Sequence, residues 1–345
     1  MQKNGNLHIM KSKKVLFSLL ITLIIVQIFV LIVLFKKQRK INNEKNQLNS
    51  KITSSSGKII VGLKNENLVC YFNALLQAFY FQNNFLEKLF SYKHTQDQKC
   101  ISILKEVFNK MSKGIIVNTS KYLKQILDLD AQNKSFKFGH FEDAGTCFNI
   151  FFLRILKELN NGREVICSEI TDIEQFKTNC FIGELYFYQL KRTYYCSICN
   201  ETNIEFQNNQ TVCLYLNNSV QESINIMFNT ECFECYQSNP EEGVHFATNI
   251  FEITSLGSNI IIKNTHFPMK NANVLINNKI TIHNQEYIFK ACVFHIIGLH
   301  YYTVASLESV LYKLDDLSVS KLNIKSIEDF GFKHLPDILI YEKSE

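Results

Sequence analysis

Val15 to Phe35, a run of 21 residues without a charge, divides this chain of 345 residues into two unequal parts. As a helix the run is about 31 Å long, close to the thickness of a bilayer's hydrocarbon core, so it is predicted to cross a membrane rather than join a core. A cleaved signal peptide fits less well: the run is too long, no small-residue cleavage site follows, and Lys36, Lys37, Arg39 and Lys40 come next. Lys3, Lys11, Lys13 and Lys14 precede the run, while Lys45 and Lys51 extend the basic group after it. This asymmetry favours a single-pass protein with its long C-terminal part in the cytosol. Residues 1–14 are then a short basic tail, 15–35 the transmembrane helix, 36–57 a polar tether rich in Lys, Asn, Gln and Ser, and 58–345 one folded domain.

The overall charge of +5 belongs to the N-terminal part, since residues 58–345 hold 27 basic against 31 acidic groups. A mildly acidic domain argues against nucleic acid as a partner and suits a basic ligand. At 46% hydrophobic residues the chain can bury a full core. Leu75, Leu76, Phe79 and Tyr80 recur at helical spacing, as do Phe148, Phe151, Phe152 and Ile155, so the first third of the domain reads as mainly helical. Beyond about Phe181 short β-branched and aromatic runs take over: Thr211 to Leu216, Ala247 to Ile253, Ile260 to Lys263, Ile280 to His283, Tyr287 to Phe294 and Tyr301 to Ala305. The expected class is α+β.

Eleven cysteines lack disulfide-framework spacing and read as thiols of a reducing compartment. Two pairs, Cys196-Ser197-Ile198-Cys199 and Cys232-Phe233-Glu234-Cys235, have the spacing with which four thiolates hold Zn²⁺. With all four positions filled by protein, such an ion is structural and leaves no site for a reacting water. Redox-active thiols are the alternative reading of the same pairs. Cys70 falls where a loop turns into an amphipathic helix, a place where the helix dipole and unpaired N–H groups favour a thiolate. Asn65, shortly upstream, offers an amide donor to an oxyanion. His300 opens an aromatic, β-branched strand and is a candidate base, and Asp315 or Asp316 follows where a return strand brings a carboxylate to the imidazole. Taken alone, each residue reads more readily as a packed cysteine, a core histidine or a turn acid.

Taken in order, these motifs resemble the ubiquitin-specific proteases, papain-like deubiquitinating enzymes. Gly62-Leu63-Lys64-Asn65 with Cys70-Tyr71-Phe72-Asn73 and Leu75-Leu76-Gln77 matches the family's Cys box; His300-Tyr301 its His box; Leu311 to Asp316 its closing motif. Phe141-Glu142-Asp143-Ala144 echoes its Gln-Gln-Asp-Ala stretch, and Phe181-Ile182-Gly183 the start of its fingers. The resemblance implies Cys70 as nucleophile, His300 as base, Asp315 as third triad member and Asn65 in the oxyanion hole. It also implies a helical thumb (about 58–180), zinc-tipped fingers (about 181–262) and palm strands (mainly 246–345) that grip ubiquitin. Anchor, tether and domain together look similar to the family's mitochondrial outer-membrane member, with the endoplasmic reticulum equally compatible. A catalytically inactive ubiquitin-binding scaffold of the same fold is the alternative, and a protease for another ubiquitin-like modifier a third. Where the family has Leu-Gly-Asn-Thr this chain has Glu66-Asn67-Leu68-Val69, so strain is expected in the oxyanion loop.

Overall fold

Lys51–Thr53 (β1) pairs antiparallel with Ile59–Val61 (β2), so backbone pairing draws part of the expected tether into the fold. Composition could not reveal this, because a three-residue strand with half-exposed side chains owes its order to its partner. The computed structural model describes residues 50–129, 136–196, 202–216, 218–229, 247–265, 274–296, 300–330 and 335–344. The expected transmembrane helix at 15–35 lies outside them, as do Cys199, Cys232, Cys235 and the side chain of Cys196. Among the described residues no helix is long and apolar enough to cross a membrane.

After Leu63–Lys64 (β3) comes the helix α1, Cys70–Tyr80, followed by α2 (Asn83–Ser91), α3 (Lys99–Ser112), β4 (Val117–Asn118), α4 (Ser120–Asp128), α5 (Ala144–Leu159), α6 (Ile173–Asn179) and α7 (Phe181–Tyr186). Glu158 of α5 is buried and accepts from the backbone N–H groups of Cys100 (2.8 Å) and Ile101 (3.0 Å), so it caps α3, which has no side-chain cap of its own.

The strands then follow: β5 (Tyr188–Cys196), β6 (Thr202–Asn209), β7 (Val212–Leu214), β8 (Ala247–Ser255), β9 (Asn259–Asn264), β10 (Lys279–Ile282), β11 (Gln285–Ile296), β12 (His300–Leu307), β13 (Val310–Asp315), β14 (Ser318–Lys321) and β15 (Leu335–Lys343). Among the described residues an α-helix interrupts them, α8 (Val220–Asn229), which the strand-rich reading of this half missed. Its signal was present: Val220, Ile224 and Met227 share one stripe, and the Ser219 hydroxyl accepts from the Glu222 N–H at 3.1 Å.

β5, β6 and β8 form a separate three-stranded sheet in the order β6-β5-β8. The larger sheet runs β14-β13-β12-β11-β15-β9-β7, with β10 also on β11. Alternate residues on its strands serve two cores. Ala291, Val293, Tyr301, Ala305, Ile338 and Ile340 face the helical half, while Cys292, Phe294, Tyr302, Val304, Leu339 and Tyr341 join α8 on the opposite face.

Two tight connections place the acidic end of β13. Glu308 and Ser309 link β12 to β13 with φ of 53° and 61°, as a two-residue hairpin turn of matching twist requires. Asp316 and Leu317 link β13 to β14, and the Asp316 carbonyl accepts from the Leu63 N–H at 2.8 Å. Gly62 makes that approach possible: a Cβ there would collide with the Leu317 carbonyl. Gly62→Ala is therefore expected to destabilise the fold by about 1–3 kcal/mol, as overpacking does. Chemical denaturation checks this, and unchanged stability would show that the two backbones do not meet.

Candidate active site

Cys70 is the first residue of α1 and is 3% exposed. The loop before it is closed by Asn65, whose Oδ1 accepts from the Val69 N–H at 2.9 Å. Asn67 and Leu68 both take left-handed conformations, with φ of 61° and 58°. Asn tolerates this better than Leu, so the strain expected from the missing glycine falls mainly on Leu68, which is 54% exposed. The helix N-terminus beside the sulfur presents N–H groups that have no carbonyl within the helix.

His300 begins β12 and Asp315 ends β13. The antiparallel register of these strands, Thr303 opposite Leu314, brings the two chain ends together. His300 Nε2 lies 2.6 Å from Asp315 Oδ1, and Cys70 is near enough to act on the titration of the imidazole. With Nε2 taken by the carboxylate, Nδ1 is the nitrogen left for sulfur. Hydrogen bonding to Asp315, then to Cys70, raises the imidazole from 6.5 to about 10 against the opposing effect of burial. Burial pushes the Asp315 carboxyl up, yet hydrogen bonds from His300 and Lys313 outweigh it and leave the group below the usual carboxylate range. Lys313 Nζ is 3.0 Å from Asp315 Oδ2 and 4.5 Å from the Tyr302 ring centroid.

The adjacent acid has different partners. Asp316 Oδ2 accepts from Asn65 Nδ2 and Oδ1 from Asn73 Nδ2, both at 2.7 Å, while His300 Nε2 is 3.7 Å from Oδ2. Burial raises its carboxyl above the usual value despite both amide donors. The choice that the sequence left open thus resolves by contact: Asp315 holds the imidazole, Asp316 the two amides. Asn65 spends one N–H on Asp316 and retains a second. Asn73, a Cys-box residue to which sequence reasoning gave no role, belongs to this network.

The stretch Phe141 to Ala144 comes up beside the His box. Phe141, His295 and Tyr301 stack, with centroids of His295 and Tyr301 4.4 Å apart and of Phe141 and Tyr301 5.7 Å apart. Asp143 accepts from the Tyr301 hydroxyl at 3.4 Å and from the Thr146 N–H at 2.6 Å, capping α5. His295 is held below its ordinary value by burial, with Asp143 opposing. Among the described residues, the cluster of metal-ligating side chains is His300, Asp315 and Asp316, which belongs to this site.

A thiol at a helix N-terminus, beside an imidazole that a carboxylate holds, is the set of groups that nucleophilic catalysis by cysteine requires. The profile of the family described as "Ubiquitin carboxyl-terminal hydrolase" matches residues 61–342, and the chain belongs to that family. In fold it is similar to a chain of the SAGA Ubp8/Sgf11/Sus1/Sgf73 DUB module bound to ubiquitin aldehyde, with a TM-score of 0.65 and 14% identity over 82% of this chain and 69% of that one. A second structure of the module, bound to monoubiquitin, gives a TM-score of 0.65 and 13% identity over the same shares. No curated protein matches in sequence.

The high imidazole value ties site and pH together. His300 titrates at about 10 in the fold against 6.5 unpaired, so its contribution to stability is fully present below pH 6.5 and is lost as pH rises through 10. In Asp315→Asn the imidazole, followed by NMR, is expected to titrate closer to 6.5, and the stability gap to wild type to be widest at acidic to neutral pH and to close above 10. A gap that grew with pH would contradict the ion pair.

Proposed function

We propose that this chain is a deubiquitinating cysteine protease that hydrolyses the bond after the C-terminal glycine of ubiquitin. The observation that carries the reading is the His300 imidazole held by Asp315 with Cys70 beside it at the start of α1. The Cys70 thiolate attacks the carbonyl carbon of that glycine, and the electron pair of the C=O bond moves to oxygen. The oxyanion is held by the second N–H of Asn65 and by N–H groups at the start of α1. His300 gives its proton to the leaving lysine amine as the C–N bond breaks, which leaves a thioester on Cys70. Water then attacks the thioester, His300 takes its proton, and ubiquitin departs as a carboxylate while the sulfur is restored. Asp315 keeps the imidazole oriented and stabilises its charged form throughout.

A polypeptide substrate is supported by the smaller sheet. Ile204 and Ile250 flank Thr193 across the strands, and Tyr195 and Phe206 lie one row to either side of them, all four on one face. All four are at least 43% exposed, a contiguous apolar stripe that suits a protein partner better than water. The zinc reading places Cys196, Cys199, Cys232 and Cys235 at the tip of this sheet. β5 ends at Cys196 opposite Ala247 and β6 begins at Thr202, and the two-residue spacing of each cysteine pair is what a structural Zn²⁺ that cross-links strands would need. The 21-residue uncharged run and its flanking lysines support a membrane-anchored protein with this domain in the cytosol, on the mitochondrial outer membrane or the endoplasmic reticulum.

The full chain, recovered in alkali-washed membranes, is expected to be labelled by a ubiquitin probe with a C-terminal electrophile, and Cys70→Ala to lose all labelling. Labelling that survives the substitution would end the assignment. Ubiquitin binding without labelling would favour the inactive scaffold, which the non-glycine loop at Leu68 makes the second reading. Metal analysis of the same protein is expected to find about one zinc per chain, reduced in Cys232→Ser. Zinc-free protein of unchanged stability would remove the metal from the account.

A further inference from the structure

The loop that carries Asn65 to Cys70 is tied to the start of α4. The Ser120 hydroxyl donates to the Glu66 carbonyl, and the Asn118 side-chain amide donates to the Glu66 carboxylate. Between these two residues Thr119, which is 0% exposed, donates its hydroxyl to Asn73 Oδ1. Two amides then converge on one acid: Asn73 Nδ2 donates to Asp316 Oδ1, and Asn65 Nδ2 donates to Asp316 Oδ2. Asp316 accepts at both oxygens, so Asn73 has to turn its nitrogen toward it. Its oxygen then points into a place shut off from solvent, where it needs a donor.

We propose that Thr119 is a positioning residue for acyl transfer at Cys70: its hydroxyl keeps Asn73 on Asp316 and so aims the amide of Asn65 at the oxyanion. This rests on the hydrolase reading given above. Thr119 touches neither substrate nor sulfur and acts through two intermediates. Without its donor the Asn73 oxygen is buried and unsatisfied, a cost that the side chain relieves by turning away from Asp316. Asp316 then loses one of the two amides that hold it, and Asn65 loses its fixed orientation. Catalysis suffers because a donor that is present but misdirected stabilises the transition state poorly.

Thr119→Val keeps shape and loses the donor, while Thr119→Ser keeps the donor. In the full chain, with a ubiquitin C-terminal amide that releases a fluorophore, Thr119→Val is expected to lower kcat roughly 10- to 100-fold at unchanged KM. Thr119→Ser is expected to restore the wild-type rate. Alkylation of Cys70 by iodoacetamide, which forms no oxyanion, is expected to proceed equally in all three. Wild-type kcat in Thr119→Val, or kcat and alkylation falling together, would overturn the proposal. Should Thr119→Val fail to fold, Thr119→Ala carries the same comparison. If the wild type itself releases no fluorophore, the hydrolase reading fails, and exchange of the Asn65 and Asn73 side-chain amide protons still judges Thr119. Faster exchange in Thr119→Val alone supports the tie, and equal exchange in all three refutes it.

Discussion

Every residue of the helix Cys70–Tyr80 is buried. A helix covered around its whole circumference has to be enclosed by other elements, here α2 and α5 on one side and the large sheet on the other. Its polar members then bond across to the sheet. The Thr303 hydroxyl donates to the Ala74 carbonyl at 2.7 Å, and Asn73 and Gln77 both reach Asp316. The nucleophile is thus fixed by the core of the protein, not by a surface loop, and its distance from His300 is as well defined as the packing beneath it.

Two consecutive acids share the other end of the site and are pushed in opposite directions. Asp315, with a cation on each oxygen, lies below the usual carboxylate range; Asp316, with only amide donors in direct contact, lies above it. The pair divides the labour of the site. One acid stabilises the charge on the imidazole, and the other gathers the neutral amides of Asn65 and Asn73.

Much of this was legible because the chemistry sits at element boundaries. The apolar spacing that begins after Cys70 marks a helix start, and the aromatic, β-branched run from Tyr301 marks a strand start, so the element that each of Cys70 and His300 opens was readable from its surroundings. Asp315 and Asp316 could not be told apart, since the answer depends on which side of a strand end each one leaves, and register is a property of the pairing. Thr119 was illegible for a related reason. It is a lone threonine 46 residues from its partner, and its importance comes from the burial of someone else's oxygen. The role of Glu158 at the start of α3 escaped notice in the same way, because a cap supplied from 58 positions later leaves no local pattern.

The turn Glu308-Ser309 has a consequence for how this protein can vary. Because side chains on a strand alternate between faces, adding or removing one residue between His300 and Asp315 while the two-residue turn is kept would carry the carboxylate of β13 to the wrong side of the sheet, beyond reach of the imidazole. A change of two would restore the side but slide the acid by about 6.8 Å along the strand axis. The spacing of 15 from His300 to Asp315 is therefore a ruler with a single usable mark, in a part of the surface where loop lengths would otherwise be free to drift.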